Sequence, residues 1–158
     1  MGLEKFLTKI VEDKVAISAK GATVEDIAHL EEIHSILLPE SYKKLMLTIG
    51  DDCGRLVDHN EYDFYVRDLN KINTFVKERR KLLKAYGEVL VELPERVFYI
   101  LGRYNESFYY IIADGANDSS VWHYNMEDGK VEKRYDSVME WANGLLSDAK
   151  VAVDLGHR

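Results

Sequence analysis

Pro39 and Gly50 bracket one short helix, and no other feature of the chain limits its fold as tightly. A residue that precedes proline is pushed out of helical geometry, so the helix upstream must end before Pro39. Proline itself suits the first turn of the next helix, where its missing N–H is no loss. Within that helix Tyr42, Leu45, Met46 and Ile49 fall at i, i+3, i+4 and i+7 and form one buried face. Gly50 stands where a C′ residue is expected to end it. Upstream, Thr23 is a good N-cap with Asp26 three residues on, and Ile27, Leu30 and His34 share one stripe of the helix that follows.

The remaining elements follow from periodicity. Leu3, Phe6, Leu7 and Ile10 recur at helical spacing, so residues 2–13 read as an amphipathic helix. Residues 55–58 and 61–66 read as two short strands around a His59-Asn60 turn. The pattern then predicts a long helix over 68–86, with Leu69, Ile72, Val76, Leu83 and Tyr86 on its apolar side and Lys77, Arg80, Lys81 and Lys84 on the other. From Val97 the period becomes that of strands, at 97–103, 107–113, 121–125 and 131–135. Phe108-Tyr109-Tyr110-Ile111-Ile112 is apolar on both faces and reads as a central strand. Asp128-Gly129 is the strongest hairpin signal in the chain. A last helix over 136–146 buries Val138, Trp141 and Leu145, and residues 147–158 read as a weakly patterned C-terminal tail. Short links favour an antiparallel meander. The order predicts an α+β fold, an antiparallel sheet of about six strands packed with about five helices, in a single domain over residues 1–146.

With 158 residues, 46% of them hydrophobic, the chain is large enough for one buried core. It carries 21 basic and 28 acidic residues, a formal charge of −7. Such a surface is repelled by nucleic acid and by anionic membranes and attracts basic proteins, so the expected partner is a basic protein, with no nucleic acid and no membrane. The single cysteine, Cys53, can form no internal disulfide, which points to a reducing compartment, the cytosol. The N-terminus has neither the apolar core nor the cleavage site of a signal peptide, and no apolar run approaches the length of a membrane span. Nothing in the chain sets its oligomeric state.

No motif supplies a catalytic group, a metal site or a cofactor. His29 and His34 are five apart on one helix and point in different directions. Asp58, His59, Glu61 and Asp63 could ligate a divalent ion, but without a recognised spacing they read as a polar hairpin tip. Cys53 follows Asp51-Asp52, whose carboxylates disfavour a thiolate, so it reads as structural. Gly50-x-x-x-Gly54 lacks the ending of a phosphate loop and reads as a turn. Lys77, Arg80, Lys81 and Lys84 lie in a segment, 67–96, with eight basic and five acidic groups; they read as a solvated helix face, with a partner-docking patch and, after it, RNA contact as the alternatives. The sheet aromatics Phe98, Tyr99, Tyr104, Tyr109, Tyr110, Trp122, Tyr124 and Tyr135 read mainly as core. The acidic residues Asp51, Asp52, Asp58, Glu61 and Asp63 cluster in one loop region, and Asp114 and Asp118 in another. These seven are the candidate partner-binding residues, a patch complementary to a basic surface.

Residues 23–54 and 97–146 together resemble the SUKH superfamily. Glu31 matches a glutamate that precedes Leu-Pro, and Leu38, Pro39, Tyr42 and Gly50 match a Leu-Pro-x-x-Tyr helix ending in a glycine-bearing turn. Leu101-Gly102 matches a later strand step, and Val121, Trp122, Tyr124, Gly129 and Trp141 match a strand, turn and closing helix. The chain departs at the turn itself, with Ile49-Gly50-Asp51 where the family often has Asn-Gly-Gly. The resemblance implies an α+β fold and, for bacterial members, an immunity role: stoichiometric neutralisation of a polymorphic toxin, often a nuclease or deaminase, without catalysis. The family's eukaryotic members imply a regulatory scaffold instead.

Overall fold

A computed structural model describes residues 2–157. Met1, part of the N-terminal stretch weighed above, and Arg158, the end of the expected tail, lie outside the described residues. Five helices and a five-stranded antiparallel sheet make an α+β fold. The order is α1 (Leu3–Glu12), α2 (Val24–His34), α3 (Glu40–Ile49), β1 (Tyr62–Asp63), α4 (Val66–Ala85), β2 (Val97–Arg103), β3 (Ser107–Ile112), β4 (Val121–Asn125), β5 (Val131–Tyr135) and α5 (Val138–Asp154).

The two punctuating residues act one step away from the positions expected of them. Pro39 is the N-cap of α3, with an extended ψ of 143°, and its carbonyl accepts the Lys43 N–H at 3.0 Å. Gly50 ends α3 with φ −71°, so it is not there to supply a left-handed backbone. It is there because a Cβ would fall 2.4 Å from the Met46 carbonyl oxygen. Gly21 has the same kind of reason, since its Cβ would fall 1.7 Å from the Leu47 carbonyl oxygen. The chain entering α2 thus crosses directly over the back of α3. Thr23 caps α2 as its sequence implies, accepting the Asp26 N–H at 3.0 Å.

The sheet runs β1-β2-β3-β4-β5 in sequence order with every pair antiparallel, a meander centred on β3. Asp128-Gly129 makes the β4–β5 hairpin, with Gly129 at φ 73°. Tyr104 and Asn105 both take positive φ, 54° and 58°, at the β2–β3 turn. Alternation along the strands separates two faces. Phe108, Tyr110 and Tyr124 turn toward α4, where the Arg80 guanidinium lies over the Tyr124 ring. Tyr109 and His123 turn toward α5, and Tyr109 shares a cavity of about 110 Å³ with Trp141 and Leu145. The sheet is therefore sandwiched, with α4 on one face and α5, backed by α1 and α3, on the other. Tyr42 of α3 and Phe64 both pack against Trp141 of α5, at centroid distances of 6.5 and 5.8 Å.

Three expectations are corrected. Residues 55–58 form no strand, and the pair around His59-Asn60 is not made; of 61–66 only Tyr62–Asp63 is strand, and it pairs with Arg103 and Gly102 of β2. Leu56, Val57, Phe64 and Tyr65 are all buried, on no alternating pattern, because the loop lies in the core instead of pairing at a sheet edge. Tyr86 does not belong to the apolar side of α4; it is 81% exposed, beyond the point where the helix leaves the sheet. The last helix continues to Asp154, so most of the expected tail is helical, and Ala149 is buried within it. The helix also packs on α1, a long-range partner that no local pattern announces. No helix is long and apolar enough to cross a membrane among the described residues.

Candidate functional site

The seven candidate acidic residues fall into groups set by α3. Asp51 and Asp52 follow its C-terminal end, where both backbone N–H groups donate to the Lys20 carbonyl, at 2.9 and 3.0 Å. The Asp51 carboxylate pairs with Lys20 at 3.1 Å and with Arg67 at 3.8 Å. The Asp52 carboxylate accepts the Gly54 N–H at 2.9 Å. Both aspartates line a shallow hollow together with His59. Asp114 and Asp118 lie at the opposite end of α3, where the Ser41 N–H donates to the Asn117 carbonyl at 3.0 Å. A ten-residue helix spans roughly 15 Å, which is the scale separating the two groups.

Most of these carboxylates already have work inside the fold. Asp118 accepts three hydrogen bonds, from Ser41 Oγ at 2.7 Å, the Ser119 N–H at 2.9 Å and the Val138 N–H at 3.2 Å. It therefore joins the N-terminal ends of α3 and α5, where a negative charge is favoured by both helix dipoles. Asp114 accepts the Ala116 N–H at 3.1 Å and Asp58 the Asn60 N–H at 3.0 Å, each as a turn. Glu61 pairs with Arg103 and accepts the Tyr104 hydroxyl at 3.1 Å, while Asp63 pairs with Lys71 at 3.3 Å. Asp58, Glu61 and Asp63 thus turn to three different partners. No group of three or more His, Cys, Asp or Glu side chains could hold a metal ion among the described residues. Cys53 is fully buried, and its thiol is pushed up to about 12, by burial first and the Asp52 charge second. A thiol held protonated in this way is a poor nucleophile.

Two positions have structural roles that composition and spacing do not reveal. Glu31 accepts the Leu38 N–H at 2.8 Å, bracing the backbone just before Pro39. That bond gives a physical reason for a glutamate at this distance before Leu-Pro. His34, on the stripe of α2 with Ile27 and Leu30, reaches α4. Its Nε2–H donates to Asn70 Oδ1 at 3.0 Å, and its Nδ1 accepts from the Lys77 ammonium at 3.1 Å. That arrangement requires the neutral ring. Burial, and then the Lys77 charge, holds the imidazole below its ordinary value. Lys77 is itself lowered by burial. Lys77, Arg80, Lys81 and Lys84 are not simply a solvated face, because they form one wall of a groove closed by the 92–97 segment.

These elements define a class: an α+β meander domain in which a glutamate-braced Leu-Pro step launches the helix that packs, through Tyr42, on the closing helix. The chain matches the SMI1 / KNR4 family (SUKH-1) over residues 21–144 and belongs to that family. A search of the curated proteins finds no match. The match takes in the Glu31, Leu-Pro, Leu101-Gly102 and Val121–Trp141 features on which the resemblance rested, and ends inside α5.

Proposed function

We propose that this chain is a bacterial, cytoplasmic immunity protein that binds a cognate polymorphic toxin of nuclease or deaminase type and neutralises it without catalysis. Family membership is the observation that carries the reading, since the family is one of generally non-catalytic immunity or regulatory proteins. The contact surface is assigned to Asp51, Asp52, Asp58, Glu61 and Asp63 on one side of α3 and to Asp114 and Asp118 on the other. Support comes from how these residues are held: their loops are stitched to α3, α5 and Lys20 by backbone hydrogen bonds, so a partner would meet a preorganised surface. A toxin acting on nucleic acid needs a basic groove, and complementary fields raise its association rate with an acidic inhibitor. The test is a pull-down against the toxin encoded beside this gene, at low and high salt. Capture that weakens with salt is expected; no capture at either salt defeats the reading.

The second reading is a regulatory protein-binding scaffold. What favours it is the basic wall of α4, where Lys81 and Lys84 are exposed. A gene neighbourhood without a toxin, together with a cellular partner lost on Lys81→Glu, would select it over the first.

A further inference from the structure

Among the described residues, the groove behind α4 concentrates unpaired positive charge in this acidic chain. Lys77, Arg80, Lys81 and Lys84 line one wall and Arg96 the other, with Glu92 as the sole carboxylate in the lining. Several cations elsewhere find acids: Lys20 and Arg67 pair with Asp51, Lys71 with Asp63, Arg103 with Glu61; those that do not, such as Lys5 and Lys44, are scattered and share no groove. None of the five groove cations is in an ion pair among the described residues. In a protein of charge −7, carboxylates are in surplus, so five cations left facing a common space mark an unfilled electrostatic demand.

Two of the five are fixed by neutral partners. Arg80 donates to the Tyr124 hydroxyl at 2.8 Å and to the Val91 carbonyl at 2.6 Å, and its guanidinium lies over the Tyr124 ring. Lys77 donates to the neutral His34 ring. Both are held in place by these bonds. Lys81, Lys84 and Arg96 are exposed and free to close over a ligand. Arg96 has a left-handed backbone, φ 60°, and its carbonyl accepts the Ala113 N–H at 2.8 Å, so the sheet fixes where its side chain starts. Ile36, Leu93 and Pro94 add an apolar lip.

We propose that this groove binds a small organic molecule bearing two or three phosphate groups, of the nucleoside polyphosphate kind. Its volume of about 560 Å³ is within the range of small-ligand sites. Five cations against one carboxylate match the charge of a di- or triphosphate, and the apolar lip suits the organic part. A long polyanion fits less well. It would run off the groove onto flanking acidic surface, since residues 1–66 and 97–158 are both net negative. The proposal is independent of the toxin reading.

The test is calorimetric titration of the full chain with ATP and, separately, with inorganic pyrophosphate, at low and physiological salt. Lys81→Ala/Lys84→Ala/Arg96→Gln is compared with wild type and with a control, Lys5→Ala/Lys44→Ala/Lys130→Ala, which removes the same number of charges outside the groove. Binding of ATP, weakened at least tenfold in the groove variant and little changed in the control, is expected. Pyrophosphate binding as tightly as ATP assigns the site to the phosphates alone, and a gain for ATP adds the lip; both support the proposal. NMR titration of His34 supplies a second readout, because an anion beside Lys77 must shift its midpoint upward. No binding of either probe, equal binding in the groove variant, or preference for an acidic peptide or single-stranded oligonucleotide over ATP would overturn it.

Discussion

The Asn73 carboxamide completes the backbone hydrogen bonding of Tyr99. Its Nδ2 donates to the Tyr99 carbonyl at 2.8 Å and its Oδ1 accepts the Tyr99 N–H at 2.8 Å, while Nδ2 also reaches the Leu69 carbonyl at 2.9 Å. A helix side chain here replaces a neighbouring strand. β1 pairs only with Gly102 and Arg103, which leaves this stretch of β2 without a strand partner on that edge, and the β2–β3 register shifts between Tyr99 and Leu101. Asn73 is fully buried, so its bonds form where water cannot compete.

Asn73→Leu is therefore expected to destabilise the fold by about 3 kcal/mol, because it leaves a buried N–H and C=O of Tyr99 unpaired. Asn73→Asp keeps the acceptor but loses both donated bonds and buries a charge, and should be worse. Urea denaturation midpoints of the two variants check this. A loss below about 1 kcal/mol for either would show that the edge is satisfied in another way.

Glu31 braces Leu38 through a charge-assisted hydrogen bond. Glu31→Ala should cost about 2 kcal/mol and Glu31→Gln less, since glutamine keeps an acceptor without the charge. Equal losses for both would make the charge, and not the bond, the relevant property. Hydrogen exchange at the Leu38 amide gives the local readout and should accelerate in the alanine variant first.

His34 and His123 both have imidazoles held below their ordinary value, chiefly by burial, with Lys77 adding to the first and Arg134 to the second. For a base lowered on folding, the unfolded chain binds protons more readily. Stability is then complete above the unfolded value of about 6.5 and falls as pH drops from there toward the folded value. Denaturation midpoints should decline from pH 7 to pH 5, and His34→Gln should flatten part of that decline. A His34→Gln profile parallel to wild type would remove His34 from the effect.

On the proposed immunity reading, neutralising Asp51 and Asp52 to asparagine should slow association with the toxin encoded beside this gene at low salt and leave dissociation little changed. Asparagine preserves the acceptor that Asp52 offers to Gly54, so the loop should keep its turn. The Asp51 change also leaves Lys20 and Arg67 without their ion-pair partner, so the positive charge there is no longer offset by that carboxylate. Stopped-flow association measured across a salt series checks this, and an unchanged rate at low salt would remove steering by this loop.

Helices and hairpins were legible where a local rule is strong enough to act alone. Pro39, Thr23 and Asp128-Gly129 each impose a backbone geometry on their own few residues, and α2, α3 and the β4–β5 hairpin form as those rules require. The apolar run of β3 similarly announced a strand buried on both sides. Residues 55–66 failed because burial there answers to the core around Trp141 and not to an alternating strand period. The end of α5 failed because the helix packs on α1, far away in sequence, and buries Ala149.

Charge shows the same division. The sequence alone determined how many acids and bases the chain carries, where they cluster along it, and that α4 presents a basic stripe, because these are properties of composition and helical period. Only the tertiary structure decided which charges cancel. Asp51, Glu61 and Asp63 meet cations from other elements, whereas Lys81, Lys84 and Arg96 are in no ion pair among the described residues and line a common groove. The physical reason is distance: a Coulomb interaction near a protein surface is worth something only within a few ångströms. Which residues come that close is set by packing between elements, and packing is not written in any local stretch of the chain.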